Sequence, residues 1–534
     1  MGNNPKPQGA VQNGLESKKV SVWILFLAVL LTGVFTYFGT RYAARTSQNQ
    51  VAQSETSKDS NGDTAKSSDT LTNEELKKLE LVYDTLVNGY VDKNINKDDL
   101  INGALKGMAE ATGDPYTNYL VNDETAAIDE TMTGSFGGIG AELRSENNRV
   151  IISNTREGTP AQKIGLQEND AILKVNGEDM EGKSISYVVS KVRGEVGTDV
   201  TLTIQRGTQE LEVKITRAKI AIETVKGTVD STDATIGHVQ INSFAKNTAK
   251  EVEKAVTDLR EKGVKKFIFD VRYNPGGLLD QAIMIANMFV DEGKTILNVE
   301  NRDGQIKSYK ASKDYGTFKI TEPYVLLVNE GSASASEILA AALKESADAK
   351  LIGKKTYGKG TVQQSRPLNF VYDLDQTPLG LLQYTIQKFY RINGGSTQLK
   401  GVAADINFPE IIDAKEYGED KEDNALPWDK IPSATYKEVG NARKDVDVLN
   451  QKHLERIAKD PEFVALNEDL KIRNERRDRK FLSLNYQTRK AENDKDDARR
   501  LKDINERFKR EGKKALNDFD DLPTDYDAPD LFLK

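Results

Sequence analysis

Three serines in one turn are the first candidates for covalent chemistry. Ser332, Ser334 and Ser336 follow an apolar strand predicted over residues 324–328, and a predicted helix begins among them. A serine at the start of a helix lies beside free backbone N–H groups and the positive end of the helix dipole, which together can stabilise an oxyanion. Serine is also an ordinary capping residue at a helix start, so this segment alone leaves a purely structural role open.

A serine nucleophile needs a base, and histidine is almost absent from this chain. The two histidines of the sequence are His238 and His453. Lys359 is the natural alternative, because it lies between two glycines in a stretch of low charge, where burial can lower the pKa of its amine until the amine is neutral. An isolated lysine in a turn is more often exposed to solvent, so the residues alone leave this role open as well.

Lys359 also completes a pattern that is typical of phosphate-binding loops. Residues 353–359 fit the spacing G-x-x-x-x-G-K. Such a loop continues with a Ser or Thr that binds Mg²⁺ and then opens into a helix, whereas here Gly360 follows, and Thr361 and Val362 are predicted to be extended. A nucleotide-dependent enzyme is therefore the weaker hypothesis.

A second strand-to-helix turn carries the glycine pair Gly276 and Gly277. Residues 270–277, Asp-Val-Arg-Tyr-Asn-Pro-Gly-Gly, close a buried strand predicted over 266–271 and precede a helix predicted over 278–289. A turn with two glycines can offer a further backbone N–H to an oxyanion. By itself the segment is better explained as an ordinary strand-to-helix turn.

The elements around these motifs indicate the fold class. Strands and helices alternate over residues 218–412, which predicts a layered α/β core. Residues 135–217 instead carry short β-type runs separated by turn signals, with two short helical stretches between them. Residues 71–129 predict two helices, and the charged segment 434–516 predicts further helices that extend the body.

Composition excludes several classes of function. The 534 residues include no cysteine and two histidines, which rules out disulfides, thiolate nucleophiles and metal sites built on Cys and His. The 75 basic residues against 83 acidic ones give a formal net charge of −8, which disfavours nucleic-acid binding. We expect no cofactor and no metal, although sites made of carboxylates alone stay open for Ca²⁺ or Mg²⁺.

The N-terminal segment predicts a membrane anchor. Residues 20–40 carry no charge over 21 positions, which is enough helix to cross a bilayer. The short tail before this segment and the large body after it predict a single-pass protein of the cell membrane, with a cytoplasmic N-terminus and an extracytoplasmic catalytic body. A signal peptide cleaved near Ala43 and Ala44 is the alternative.

Three blocks of this sequence, in this order, closely resemble the C-terminal processing or tail-specific proteases. The blocks are Asp270–Gly277, Gly331–Glu337 and Thr356–Gln364. The resemblance implies a Ser-Lys peptidase with an α/β core of the crotonase and Clp-protease type. It implies these roles: nucleophile Ser334, general base Lys359, lysine-orienting Gln363, and oxyanion-hole donors Gly276 and Ala335, with Gly277 as the alternative to Gly276.

Residues 136–141, Phe-Gly-Gly-Ile-Gly-Ala, resemble the carboxylate-binding loop of PDZ domains. In such domains, backbone N–H groups hold the C-terminal carboxylate of a peptide, which adds to the sheet as a strand. The resemblance implies that Gly138, Ile139 and Gly140 bind a peptide carboxylate. It further suggests that Arg193 links the state of this domain to the active site, although a solvated arginine at a helix end fits the sequence equally well.

Taken together, these features predict a serine endopeptidase with a Ser-Lys dyad, gated by a PDZ domain, that cleaves unstructured or apolar C-terminal regions of envelope proteins. A catalytically silent PDZ scaffold of the same fold is the alternative. The expected partners are protein substrates and the membrane but not nucleic acid, while an adaptor protein and a homo-oligomer stay open. The predicted parts are a cytoplasmic tail 1–19, a transmembrane helix 20–40, a flexible stalk 41–70, a helical region 71–134, a PDZ domain 135–217, a protease core 218–415 and a helical C-terminal domain 416–534.

The two ends of the chain resemble different branches of this family. The N-terminal half resembles the membrane-anchored processing peptidases, which have only a short helical region before the PDZ domain. The C-terminal tail, with Asp460–Phe463 and Ile504–Arg510, resembles the helical domain of the large periplasmic tail-specific proteases. The three blocks that carry the expected chemistry lie between these ends.

Overall fold

The computed structural model describes residues 70–146, 148–369, 379–409, 417–434, 442–518, 521–523, 526 and 530–531. Two compact units divide the chain, residues 1–95 and residues 96–534. The first unit contributes one described helix, α1 (Asn73–Gly89). The helix begins at a capping box, in which the N–H of Glu75 donates to Thr72 Oγ1 at 3.3 Å and the N–H of Thr72 donates to the Glu75 carboxylate at 2.8 Å. The sequence predicts this helix start.

The prediction of a membrane anchor has to be corrected. Residues 1–69, and with them the predicted transmembrane helix 20–40, lie outside the described residues. Within the described part of the chain, no helix is both long and apolar enough to span a membrane. The longest of these helices, Tyr486–Arg510, has 25 residues but is densely charged. The prediction of a single-pass membrane protein with an extracytoplasmic body therefore loses its support and is not retained.

The second unit begins with a helix, a short strand and another helix. The loop between the first helix and the strand carries Asp114 and Tyr116, and Thr117 Oγ1 donates to Asp114 Oδ2 at 2.6 Å, which stabilises the turn. The strand pairs antiparallel with residues 381–383 of the core, so the loop is held at the core surface. These elements are α2 (Lys97–Glu110), β1 (Asn118–Leu120) and α3 (Asn122–Thr133).

A β-rich region follows, as the sequence predicts. Its elements are β2 (Ser135–Gly138), β3 (Ala141–Glu146), β4 (Arg149–Thr155), α4 (Pro160–Lys163), β5 (Ala171–Val175), β6 (Glu178–Asp179), α5 (Ile185–Val192), β7 (Asp199–Arg206), β8 (Gln209–Thr216) and β9 (Ala218–Ala221). One sheet has the order β3-β4-β5-β7-β8, with β6 paired to β5, and β2 pairs with β9 apart from it. Alternate residues of β7 (Val200, Leu202 and Ile204) are buried in a separate hydrophobic core together with Val188 of α5.

The α/β core contains two further sheets. Its elements are β10 (Val225–Val229), β11 (Ile236–Ile241), α6 (Thr248–Glu261), β12 (Lys266–Asp270), α7 (Leu279–Asn287), β13 (Thr295–Asn301), β14 (Ile306–Lys310), β15 (Tyr324–Val328), α8 (Ala335–Ser346), β16 (Lys350–Gly353), β17 (Thr361–Pro367), β18 (Leu381–Tyr390) and β19 (Ile406–Asn407). The first sheet has the order β10-β11-β12-β15-β16-β19, and all of its pairs except β10-β11 are parallel. The units β11-α6-β12 and β15-α8-β16 confirm the predicted α/β rhythm.

The sequence predicts only a small part of the second core sheet. Its order is β1-β18-β13-β14, and β17 also pairs with β18. Strand β17 reads Thr-Val-Gln-Gln-Ser-Arg-Pro and is mostly half-buried or exposed, so it lacks the apolar alternation that marks a strand. It nevertheless confirms that Thr361 and Val362 are extended, which removes the helix that a phosphate-binding loop requires.

Helices follow the core, as predicted. They are α9 (Ala442–Ile457), α10 (Pro461–Arg477) and α11 (Tyr486–Arg510). Glu462 at the start of α10 accepts hydrogen bonds from Arg507 and Arg510 of α11, and the Arg507 Nε bond is 2.8 Å long. Phe463 is fully buried beside this cluster. The charged pairs hold α10 against α11, whereas the Phe463 ring packs against Phe408 and against His453 of α9.

Candidate active site

The turn between β15 and α8 places Ser334 at the N-cap of α8 with φ 55° and ψ −112°. A residue other than glycine rarely adopts a positive φ, and such a conformation costs on the order of 1–3 kcal/mol. The strained turn leaves the side chain of Ser334 half-buried on the wall of a cleft instead of inside the core.

The other two serines of this turn have structural roles. Ser332 is fully buried, and its Oγ donates to the carbonyl of Val271 at 2.7 Å. Ser336 is also fully buried, and its Oγ donates to the carbonyl of Asn274 at 2.9 Å. Both hydroxyls therefore fasten the turn to the neighbouring 270–277 segment, and Ser334 is the serine of this turn that lines the cleft.

Lys359 lines the same cleft from the loop before β17. Its ammonium lies 3.6 Å from the centroid of the Tyr116 ring. Burial lowers the pKa of Lys359 to about 8, against the opposing charges of Glu419, Asp114 and Glu337. An amine with this pKa is neutral in a useful fraction of molecules near neutral pH, as a general base must be.

Glu337 connects the serine turn to the lysine loop. Its fully buried carboxylate accepts the backbone N–H groups of Ser334 at 2.9 Å, Gly358 at 2.7 Å and Lys359 at 2.8 Å, and the hydroxyl of Thr356 at 2.6 Å. Burial raises the pKa of Glu337 to about 7, and the four hydrogen bonds oppose this shift. In the sequence, Glu337 is one residue of the serine motif without a predicted role, because hydrogen bonds from one side chain to two separate loops cannot be predicted from sequence.

Gln363 lies in the cleft on β17, but its hydrogen bonds go to hydroxyls. Its Nε2 donates to Thr361 Oγ1 at 3.0 Å and to Thr385 Oγ1 at 2.9 Å. Thr385 Oγ1 in turn donates to Asp114 Oδ2 at 2.6 Å. The structure thus places Gln363 beside the lysine but connects it to Asp114, so that any orientation of the amine by Gln363 is indirect here.

The glycine pair packs directly against the serine turn. The N–H of Gly276 is already donated to Asn274 Oδ1 at 2.9 Å, whereas Gly277 lines the cleft. A Cβ atom on Gly276 would lie 2.9 Å from the Cβ of Ser334 and 3.0 Å from the nitrogen of Ala335, which shows how closely the two turns approach. Among the described residues, none accepts the N–H of Gly277 or of Ala335. The geometry therefore favours Gly277 over the predicted Gly276 as a donor to an oxyanion.

The cleft itself is mostly apolar. It has a volume of about 530 Å³. Within the described part of the chain, no cluster of His, Cys, Asp and Glu side chains could hold a metal ion. The apolar wall consists of Ile128, Met132, Leu278, Ile338, Val362 and Phe389.

A second cleft, of about 870 Å³, runs along α5 and past Phe136 and Gly137. The predicted carboxylate-binding residues Gly138, Ile139 and Gly140 follow directly at the end of β2; Ile139 is buried and Gly140 has a φ of 79°. Phe136 and Gly137, directly before these residues, line the second cleft, whereas Gly138, Ile139 and Gly140 lie outside its lining.

Arg193, at the end of α5, bridges the β-rich region and α3. Its guanidinium pairs with Glu130 at 2.6 Å and lies 4.1 Å from the centroid of the Phe136 ring. Glu130 belongs to α3, and Ile128 and Met132 of the same helix line the cleft that contains Ser334 and Lys359. One helix therefore contacts both clefts.

A serine in a strained turn at a helix start and a half-buried lysine line one cleft of an α/β core, an arrangement that is typical of serine-type hydrolases. The model of peptidase family S41 matches residues 235–408, and a PDZ domain model matches residues 151–206. The N-terminal domain of the activating protease CtpB matches residues 29–125, and the C-terminal domain of tail specific protease matches residues 412–533.

Curated relatives agree with these matches. The chain is 51% identical over 451 residues to the tail-specific protease of Haemophilus influenzae, covering 82% of this chain but 64% of that protein, which is less than two thirds of its length. It is 40% identical over 326 residues to the carboxy-terminal processing protease CtpA of Bacillus subtilis, covering 61% of this chain and 67% of that protein. A probable CtpA-like serine protease of Staphylococcus aureus is 37% identical, with 70% of each chain covered. The chain therefore belongs to peptidase family S41, the family of the tail-specific and C-terminal processing proteases.

Solved structures with related descriptions are also similar in part. The photosystem II D1 C-terminal processing protease is 26% identical with a TM-score of 0.37, and the similarity covers 67% of this chain and all of that one. The PDZ domain of the carboxy-terminal protease from Vibrio cholerae, in complex with a peptide, is 33% identical with a TM-score of 0.15 and covers 16% of this chain and 97% of that one.

Proposed function

We propose that this chain is a serine endopeptidase in which Ser334 is the nucleophile and Lys359 is the general base. One observation carries the proposal: both residues line one cleft, and the buried carboxylate of Glu337 accepts a backbone N–H from each of them. The nucleophile and the base are thus fixed to a common anchor, as a catalytic pair requires. The presence of both residues also argues against the alternative of a silent scaffold.

The proposed reaction has two stages, acylation of Ser334 and hydrolysis of the ester. Neutral Lys359 accepts the proton of Ser334 Oγ as the oxygen attacks the peptide carbonyl carbon. The carbonyl oxygen becomes an oxyanion that the N–H groups of Gly277 and Ala335 can stabilise. The lysine ammonium then protonates the amine that leaves, and an ester to Ser334 remains. Water, deprotonated by the same lysine, hydrolyses the ester and restores the serine.

We infer that the substrates are unstructured protein segments with apolar C-terminal residues. A cleft that is lined by apolar side chains and leads to a buried lysine accepts an extended chain more readily than a folded surface. The adjoining PDZ domain can hold a terminal carboxylate through backbone N–H groups near Gly138, Ile139 and Gly140. In this proposal residues 135–217 form the PDZ domain, 218–415 the protease core and 416–534 the helical C-terminal domain.

The test of this function compares substrates that differ only at the tail. The full chain is incubated with an unfolded protein that ends in an apolar tail, and with the same protein ending in a charged tail. Products are followed by mass spectrometry. We expect endoproteolytic cleavage of the first substrate at the higher rate. Binding of the apolar tail without any cleavage would instead support the scaffold.

Cleavage should increase with pH in the neutral range. Lys359 must be neutral to act as a base, and burial lowers the pKa of this residue to about 8. The ammonium form dominates below that pH and is inactive, so kcat/KM should increase about tenfold per pH unit below pH 8 and level off above it. A profile of kcat/KM between pH 5.5 and 9.5, with a short fluorogenic peptide as substrate, measures this rise, which is the acid limb of the profile. A flat profile would contradict the lysine base.

PDZ gating predicts a specific effect of Arg193→Ala. The substitution removes the ion pair to Glu130 and the contact with the Phe136 ring, and thereby the described polar connection between α5 and α3. We expect the preference for a substrate with a free C-terminal carboxylate over its amidated form to fall at least about fivefold. Arg144→Ala, which removes an exposed pair within the same domain, should leave the preference unchanged. Equal effects of both variants would refute this connection.

A further inference from the structure

The amine of Lys359 is enclosed by residues from distant parts of the chain. Tyr116 lies in the loop between α2 and β1, and Glu419 lies in the one-turn 3-10 helix Glu419–Lys421 that follows the core. The hydroxyl of Tyr116 donates to Glu419 Oε2, although the two residues are 303 positions apart. The face of the Tyr116 ring covers the lysine ammonium, with 3.6 Å between Nζ and the ring centroid.

The carboxylate of Glu419 forms its hydrogen bonds with uncharged side chains. Its carboxylate is almost fully buried. One oxygen accepts from Tyr116, and the other accepts from Gln398 Nε2 at 2.8 Å. Gln398 also accepts the N–H of Gly360, the residue after Lys359, at 2.8 Å. Burial raises the pKa of Glu419, so that this carboxylate is costly to keep charged without donors.

The arrangement keeps the lysine and the glutamate apart. Among the described residues, Lys359 Nζ lies over the Tyr116 ring and forms no ion pair with a carboxylate, even though the charge of Glu419 acts on it. A direct ion pair would favour the ammonium and raise the pKa of the lysine, whereas the face of an aromatic ring attracts the ammonium much less strongly. The Tyr116 hydroxyl occupies the glutamate oxygen that the lysine would otherwise bind.

We propose that Tyr116 and Glu419 are positioning residues that hold the general base on an aromatic face and prevent it from forming an ion pair. The inference rests on the proposed role of Lys359. It also means that the segment at residues 417–422, which follows the core, completes the active site. Without this segment, Tyr116 would lose its partner and the cover over the lysine would loosen.

Other charged groups face the lysine and must be kept constant in a test. Asp114 accepts from Thr117 and Thr385, and Glu337 accepts the four bonds that fix the two loops. The side chain of Asp280 lies on the wall of the same cleft. Beyond Tyr116, the hydroxyl of Tyr357 donates to Glu422 at 2.8 Å. None of these groups is changed in the two variants below.

The two variants should shift the acid limb of the pH profile in opposite directions. Glu419→Gln removes a charge that favours the ammonium, so the pKa of Lys359 should fall and the limb should move to lower pH. Tyr116→Phe keeps the ring but frees the glutamate oxygen for the ammonium, so the pKa should increase and the limb should move to higher pH. At pH values well below the pKa of Lys359, a shift of this pKa by one unit changes kcat/KM about tenfold, when kcat/KM is expressed relative to the plateau of the same variant. The double variant should follow Glu419→Gln, because the carboxylate that Tyr116→Phe would free for the lysine is then absent.

A matched control and a second readout make the test decisive. Glu300→Gln alters another tyrosine–glutamate bond, the one from Tyr390 at 2.8 Å, and should leave the limb in place. The pH dependence of acetylation of Lys359 by acetic anhydride, read by mass spectrometry in a Ser334→Ala background, reports the same pKa without any cleavage. It therefore decides the proposal even if the dyad assignment fails. Limbs that stay in place, or that shift in the same direction in both variants, would overturn it.

Discussion

Replacing Ser334 with alanine is expected to abolish cleavage by the full chain, with kcat/KM falling on the order of 10⁵-fold. The substitution removes the oxygen that forms the acyl bond, so no other group can complete the first step. The fold should persist, because the backbone N–H of residue 334, not its hydroxyl, donates to Glu337 at 2.9 Å. Thermal unfolding of the variant measures this second expectation. The loss of cleavage is measured with an unfolded protein substrate and mass spectrometry.

The neighbouring serines provide matched controls. Ser332→Ala and Ser336→Ala each remove a buried hydroxyl that donates to a backbone carbonyl, at 2.7 Å and 2.9 Å respectively. We expect each to lower the free energy of unfolding by about 1–3 kcal/mol, because a buried acceptor loses its partner, while cleavage continues. If Ser334→Ala cleaves at the parental rate and one of the controls does not, the nucleophile has been assigned to the wrong serine.

The parts of the site that lie close together in sequence could be predicted. Strand β15, the serine turn and helix α8 form one continuous segment, and their hydrophobic pattern and small residues indicate a strand, a tight turn and a helix start. The resemblance to a protease family could then identify the expected roles of Ser334 and Lys359. It could not separate Gly276 from Gly277, because the difference depends on one side-chain bond, from the N–H of Gly276 to Asn274 Oδ1.

The parts that depend on distant contacts could not be predicted. Tyr116 appears in the sequence as one more residue after a helix end, and Glu419 as one acid in an acidic stretch. Tyr116 lies near Lys359 because β1 pairs with β18, which brings the loop at residues 114–117 to the core. Glu419 is held there by its own contacts, since its N–H donates to the carbonyl of Tyr357 and its carboxylate accepts from Gln398. Strand β18 itself has mostly half-buried residues on both faces, so it lacks the alternation of apolar and polar residues that indicates a strand. The environment of the proposed base is therefore set by tertiary structure, whereas Lys359 itself can be proposed as the base from the sequence.

Replacing Lys359 with arginine is expected to reduce kcat/KM on the order of 10⁴-fold, although the positive charge is kept. A guanidinium can still lie over the Tyr116 ring, where the lysine ammonium now lies 3.6 Å from the centroid. It cannot lose its proton near neutral pH, so it cannot accept the proton of Ser334. Residual activity that stays flat from pH 6 to 9.5, without the rise of the parental profile, would identify the missing function as proton acceptance.

Lys400→Arg is the matched control, because Lys400 also lies over an aromatic ring, that of Trp428, with 3.3 Å between Nζ and the ring centroid. This variant makes the same change of cation on an aromatic face but outside the catalytic cleft, and it should cleave at nearly the parental rate. A large loss in both variants would indicate that the larger guanidinium disturbs packing wherever it is introduced. A large loss in Lys359→Arg alone leaves proton transfer as the cause, since charge and aromatic contact are then kept in both proteins.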